Sequence, residues 1–283
     1  MFQAPMLAAA IDRHYTVRYG WIILEMNVLL VVAHPEPSSY NAHLACVAHE
    51  TLSKDGHAVR TSDLYASDFD PSESGRHYGV RLDPTRFDAQ AEQCFNWKNR
   101  SLPAQVQNEI DKIMWADLLV LQFPLWWFGV PAILKGWMDR VFVYGGLYSG
   151  SRRHDRGVCA GKKALICMTT GSSGEACSFD GREGDTHLIL WPSLYALRYI
   201  GYTVLQPYII HSVRGDLNGD ADQLKKEYLL KMERGYKERL LHIHTAPTVP
   251  FNSDKDWDEH GKLKPEAPAY SPFIRHKREL DLA

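Results

Sequence analysis

Leu118-Leu119-Val120-Leu121-Gln122-Phe123-Pro124-Leu125-Trp126-Trp127-Phe128-Gly129-Val130-Pro131 is the stretch on which the fold turns. It opens as a continuous apolar run of strand length, the pattern of a strand buried on both faces. Pro124 marks its end, because proline has no N–H to give to a sheet ladder. Three adjacent aromatics follow, Trp126, Trp127 and Phe128. Gly129 then frees the backbone, and Pro131 stands where a first helical residue belongs. Residues 132–141 read as an amphipathic helix. The pattern delivers a rigid aromatic loop to the C-terminal edge of a sheet, where open α/β sheets bind ligands. Aromatics after a strand most often pack under a helix as core. Three consecutive loop residues cannot all enter one core, so at least one faces a groove or a partner. Flat side chains and free amides in such a loop suit a flat, polar-edged ring.

Outward from this stretch, strands and helices alternate. Residues 27–33 (NVLLVVA) are a fully apolar run and predict the first buried strand. A loop over residues 34–41 leads to a helix over 42–54, with Ser38, Ser39 and Asn41 as candidate caps. A strand, a hydroxyl-rich turn and a helix N-terminus together favour an anion. Simple capping would account for the serines alone; His34 beside them tilts the reading toward phosphate. Residues 58–63 predict a second strand. Residues 64–99 are polar and broken by proline and glycine, a long excursion with one short helix over 90–97. Residues 106–114 predict a helix, 164–169 a buried strand, 188–200 a helix, 203–210 a last strand and 220–242 a long amphipathic helix. Two further loops sit between these elements: the glycine-rich 144–150, and Thr169-Thr170-Gly171-Ser172-Ser173-Gly174 at the sheet edge. Alternation of this kind predicts a doubly wound α/β domain, a five-stranded parallel sheet in the order 2-1-3-4-5 with helices on both faces.

The 283 residues are 45% hydrophobic, 23% charged and 11% aromatic, enough for a large core and one large or two small domains. A net charge of −2 gives no electrostatic case for nucleic acid or an anionic membrane surface. The five cysteines, at 46, 94, 159, 167 and 177, form no CxxC pair and suggest reduced thiols in a cytoplasmic protein. No apolar run approaches the roughly 20 residues of a membrane span. Residues 6–11 are apolar but short and follow no basic segment, so a secretory signal is not expected. Met26 directly precedes the first strand, which leaves residues 1–26 open as a functional extension or as the product of a misassigned start codon. Residues 27–244 would then form the domain, and the proline-rich, charged residues 245–283 a tail wrapping its surface.

Several motifs fail. There is no GxGxxG, and residues 157–163 lack the spacing and the Ser/Thr of a P-loop. Asp216, Asn218, Asp220 and Asp222 alternate like a calcium loop, but Ala221 replaces the required glycine. His242 and His244 are expected at the surface, and no metal is expected. No Ser-His-Asp or Cys-His arrangement can be argued.

One family does fit. Val31-Val32-Ala33-His34-Pro35 with Ser39-Tyr40-Asn41, Ser62-Asp63-Leu64-Tyr65, Gln122-Phe123-Pro124-Leu125 through Lys135-Gly136-Trp137, Thr169-Thr170-Gly171, residues 181–185 and Leu190-Trp191-Pro192 resemble the NAD(P)H:quinone oxidoreductases of the DT-diaphorase type. The resemblance spans residues 27–241. It implies a flavodoxin-like homodimer with one flavin per subunit, and ping-pong hydride transfer from NAD(P)H to a quinone-like acceptor in a shared pocket. It implies that His34, Ser39, Tyr40 and Asn41 hold phosphates. Pro124, Leu125, Trp126, Trp127 and Phe128 would line the isoalloxazine, and Thr169, Thr170, Gly171 and Ser172 its pyrimidine side. Tyr148 would enter the substrate pocket of the partner subunit. FAD is expected over FMN, because the excursion and tail resemble those of larger members. FMN, a regulatory or electron-carrier role with weak turnover, and nitro or azo acceptors stay open. At the two positions where the family carries a catalytic tyrosine and histidine, this chain has Cys177 and Glu183. A histidine there would stabilise negative charge on the reduced ring. Glu183 must either swing away or donate a hydrogen bond as a neutral acid.

Overall fold

The computed structural model describes residues 15–18, 21–214 and 220–276; residues 6–11, Asp216 and Asn218 lie outside them. A short antiparallel hairpin, β1 (Tyr15–Arg18) and β2 (Trp21–Leu24), precedes the domain, within a segment where the sequence pattern assigns no element. Then come β3 (Asn27–Val32), α1 (Tyr40–Lys54), β4 (Ala58–Asp63), α2 (Ala89–Asn99) and α3 (Ala104–Trp115). The quoted stretch forms β5 (Leu118–Pro124), followed by α4 (Ala132–Val141) and β6 (Lys163–Thr169). The chain continues through α5 (Thr186–Ile189), α6 (Trp191–Tyr199), β7 (Thr203–Val204), β8 (Tyr208–Ile210) and α7 (Asp220–Leu241). The main sheet is parallel and runs β4-β3-β5-β6-β7, with β8 pairing β6 farther along. This is the expected 2-1-3-4-5 order.

All seven positions of β5 are buried, and their alternation builds two cores. Leu119, Leu121 and Phe123 face Ile110 and Ile113 of α3, Trp137 of α4 and Leu197 of α6. Leu118 and Val120 face Leu44 and Leu52 of α1 and Tyr236 and Leu240 of α7. A strand between two helical layers must be apolar at every position, which is why its sequence shows no alternation.

Several expected elements have different bounds. The last strand is two pieces, because Pro207 has no N–H and the Gln206 amide donates instead to Pro247 O in the tail, at 2.8 Å. The helix expected over 188–200 begins at Thr186 and breaks at Leu190; Pro192 opens α6, where its missing N–H costs nothing. The helix expected over 90–97 spans Ala89–Asn99, capped by Asp88, whose carboxylate accepts from the Ala91 amide at 3.0 Å. Residues 64–99 are docked firmly: a Cβ on Gly136 of α4 would lie 2.1 Å from Pro71 O. The tail lies along the β7 edge, where the Val249 amide donates to Val204 O at 2.9 Å and Val249 and Phe251 pack on the core.

Candidate functional site

The C-terminal ends of β3, β5 and β6 open into a cleft of about 520 Å³. His34, Ser39, Tyr40 and Asn41 line one side, Pro124, Leu125 and Trp126 the second, and Thr169, Thr170 and Gly171 the third. Ser39 caps α1, its hydroxyl accepting from the Ala42 amide at 3.1 Å. The Tyr40 and Asn41 amides have no intrahelical partner, and the positive end of the helix points the same way. The side chains of these two residues are committed elsewhere. The Tyr40 phenol, pushed up by burial and by the Glu233 carboxylate, donates to Leu229 O at 2.8 Å. Asn41 Nδ2 donates to Thr169 Oγ1 at 2.8 Å, and its Oδ1 accepts from Gln122 Nε2 at 2.8 Å. So Tyr40 and Asn41 present backbone to the cleft, while their side chains lock α1 to α7, β5 and β6.

The aromatic loop is a tight hairpin. Trp126 and Gly129 exchange backbone hydrogen bonds at 3.0 and 3.1 Å, and Trp127 and Phe128 between them have φ of 50° and 58°. Two central residues with positive φ define a type I′ turn, which usually takes Asn-Gly. Two bulky aromatics in that region cost about 1–2 kcal/mol each. Strain of this kind persists at ligand clamps and active sites. The loop divides its aromatics: Trp126 lines the cleft with its ring 5.8 Å from that of His34, Trp127 is 97% exposed, and Phe128 lines a second cavity. The Trp127 and Phe128 amides take no part in the turn's paired bonds.

That second cavity, about 690 Å³, is also lined by Tyr148 and Tyr199. Tyr148 is half-buried, its phenol pushed up by burial and bonded by Gln90 Nε2 at 3.3 Å. Its ring meets those of Tyr144 and Tyr199 edge-on at 5.5 and 5.6 Å.

The loop after Thr170 closes on itself. The Glu183 amide donates to Ala176 O at 2.9 Å and the Thr186 amide to Cys177 O at 3.2 Å. Gly181 is required there, since a Cβ would sit 2.3 Å from Ala176 O. This closure brings Cys177 and Glu183 onto one turn. Cys177 is buried and lines a third pocket beside Phe179 and His211; Glu183 lies 3.8 Å from the Arg182 guanidinium. Ser172 accepts from the Ser212 amide at 2.9 Å. Of the expected site residues, Trp127, Phe128, Tyr148, Ser172, Cys177 and Glu183 thus lie outside the first cleft.

A family defined by the flavodoxin-like fold matches residues 26–233. The chain is 41% identical over 227 residues to NAD(P)H dehydrogenase [quinone] 1 of Cavia porcellus, covering 80% of each. It is 37% identical over 218 residues to ribosyldihydronicotinamide dehydrogenase [quinone] of Mus musculus, covering 76% of this chain and 94% of that one. A crystal structure of a candidate quinone reductase from Klebsiella pneumoniae superposes with a TM-score of 0.79 at 31% identity, covering 87% of this chain and 97% of that one. The chain belongs to the NAD(P)H:quinone oxidoreductase family.

The residues present fit the flavin that this quinone oxidoreductase family implies. Free first-turn amides with a helix dipole suit an anionic phosphate. Arg214 and Lys225 line the same cleft and add positive charge. A flat wall of Pro124, Leu125 and Trp126 beside unpaired loop amides suits a polar-edged ring system. Gln122, Arg214 and Lys225 are missed by sequence reasoning. Gln122, 1% exposed, fixes Asn41; an amide in an otherwise apolar strand was its signal. Arg214 follows the last strand, where nothing in the local pattern marks it. No helix among the described residues is long and apolar enough to cross a membrane.

Proposed function

We propose that the chain is a flavin-dependent NAD(P)H:quinone oxidoreductase that works as a homodimer. The observation that carries this reading is the strained aromatic turn beside a cleft of helix-terminal amides, in a chain of this family. When bound, a flavin would supply two-electron redox chemistry between NAD(P)H and a quinone-like acceptor. The chain's own residues bind, orient and exclude water. The Tyr40 and Asn41 amides, with His34, Ser39 and Arg214, hold phosphate. Pro124, Leu125, Trp126, Trp127 and Phe128 shield the ring, and Thr169, Thr170, Gly171 and Ser172 hold its pyrimidine side. Tyr148 completes the acceptor pocket of the second subunit, which the 97% exposure of Trp127 leaves open in a single chain. Cys177 and Glu183 act from the closed loop on the reduced state. FAD is favoured over FMN, because Arg214 and Lys225 extend the cationic end of the cleft. Five free thiols favour a cytoplasmic site. In this reading residues 27–244 are the flavin-binding domain, 1–26 an extension and 245–283 a tail.

The test is the spectrum of the purified protein together with NADPH consumption in the presence of a simple benzoquinone. A yellow dimer that turns over is expected. A colourless protein that gains no colour from added FAD or FMN would sink the reading.

A further inference from the structure

The Tyr148–Tyr199 wall is the one that, under the proposed function, closes over the flavin loop of a second subunit, and Arg153 rests against it. Arg153 donates to the Tyr199 hydroxyl at 3.4 Å, with its guanidinium 5.9 Å from the centre of that ring. The neighbouring carboxylates are already taken. Asp155 binds Arg198 and accepts from the Asp254 amide at 2.6 Å; Asp254 binds Arg156 at 3.2 Å. Among the described residues the Arg152 guanidinium bonds a neutral acceptor, the Gly145 carbonyl, at 2.5 Å. Among the described residues Arg153 alone of these arginines touches the cavity wall, through Tyr199; Arg198 and Asp155 line a neighbouring pocket. No ion pair occupies Arg153 among the described residues. His154 lies in the field of these arginines: burial first, then the Arg198 and Arg153 charges, lower its pKa, and its ring lies 5.0 Å from that of Tyr199. His154 holds a φ of 51°, so the turn presents these side chains at some backbone cost.

An arginine resting on an aromatic ring at a cavity rim, with no carboxylate partner, is suited to a phosphate. We infer that Arg153 is a donor-specificity residue: it binds a phosphate of the dinucleotide donor, so the enzyme prefers NADPH or NADH over the phosphate-free dihydronicotinamide riboside. This rests on the proposed oxidoreductase function, and its test separates the two.

Kinetic constants are measured for NADPH, NADH and dihydronicotinamide riboside with the flavin-loaded wild type, Arg153→Met and Arg153→Lys. In Arg153→Met the KM for phosphate-bearing donors rises about tenfold, the loss of one charge-assisted hydrogen bond. The riboside KM and every kcat stay unchanged, and Arg153→Lys recovers most of the loss. A rise for NADPH alone places the 2′-phosphate at Arg153; an equal rise for NADPH and NADH places the diphosphate there. Equal rises for all three donors, or none, overturn the inference. Calorimetry of the flavin-loaded protein with 2′,5′-ADP gives a readout free of turnover. Binding should weaken about tenfold in Arg153→Met and weaken with added salt; absence of binding, or affinity indifferent to Arg153, overturns the inference. If no donor reduces the wild type, the oxidoreductase reading fails, and the calorimetry still decides Arg153.

Discussion

Trp127 is the residue where fold and function pull apart. It is 97% exposed with φ of 50°, so it contributes almost nothing to the core and strains the turn. Trp127→Ala should therefore leave unfolding by urea nearly unchanged, while flavin affinity falls by at least about 1 kcal/mol, the scale of an aromatic contact beyond burial. Trp127→Gly should raise stability by about 1 kcal/mol, because glycine adopts positive φ freely, at the same cost in affinity. Undiminished flavin affinity in either variant would remove Trp127 from the site. Glu183 admits a similar test. If it acts on the reduced ring, Glu183→His raises the flavin reduction potential at neutral pH, and Glu183→Gln flattens the pH dependence of flavin reduction. Coincident potentials and profiles in an anaerobic redox titration of the three proteins would show that Glu183 does not face the ring. At this scale the sequence revealed which residues gather at the cleft better than it revealed how. Tyr40 and Asn41 line the cleft. Their side chains nonetheless serve the fold, through Leu229 O, Thr169 Oγ1 and Gln122 Nε2, long-range partners that no local pattern encodes.

The elements that position the site were legible wherever burial dictated composition. β5 and α4 have the bounds that apolar periodicity and two prolines suggest, since a strand covered on both faces admits few polar residues. Elements whose ends depend on distant contacts were not. The last strand splits because the Gln206 amide finds the tail. The 64–99 excursion looked loose because its anchors are single contacts rather than periodic ones. One anchor is testable. Gly136→Ala would drive a methyl group to 2.1 Å from Pro71 O, so α4 or the excursion must shift. Overpacking of this kind costs about 1–3 kcal/mol. The urea midpoint should fall accordingly, with hydrogen exchange rising first around Pro71; an unchanged midpoint would mean the excursion is not held there.

Across the whole molecule, stability should decline on mild acidification. His57, His154 and His211 are each held below the ordinary histidine value, in every case first by burial. A histidine lowered in the fold is neutral there while the unfolded chain takes up the proton. Its contribution is complete above the unfolded value of about 6.5 and is lost as pH falls below it. Glu73, raised by burial, works in the opposite direction, but its ordinary value lies near 4.5, below the histidine range in which the three groups act. A urea midpoint lower at pH 5.5 than at pH 7.5 is expected, and an equal or higher one would contradict this balance. The central claim, that one flavin site serves donor and acceptor in turn, has a more direct test: anaerobic stopped-flow in two mixes. In the first, one equivalent of NADPH or NADH per flavin should bleach the protein. In the second, after the oxidised nucleotide is removed, a benzoquinone alone should restore the full colour. A protein that neither donor bleaches, or one that recovers its colour only while nucleotide is present, would contradict the claim.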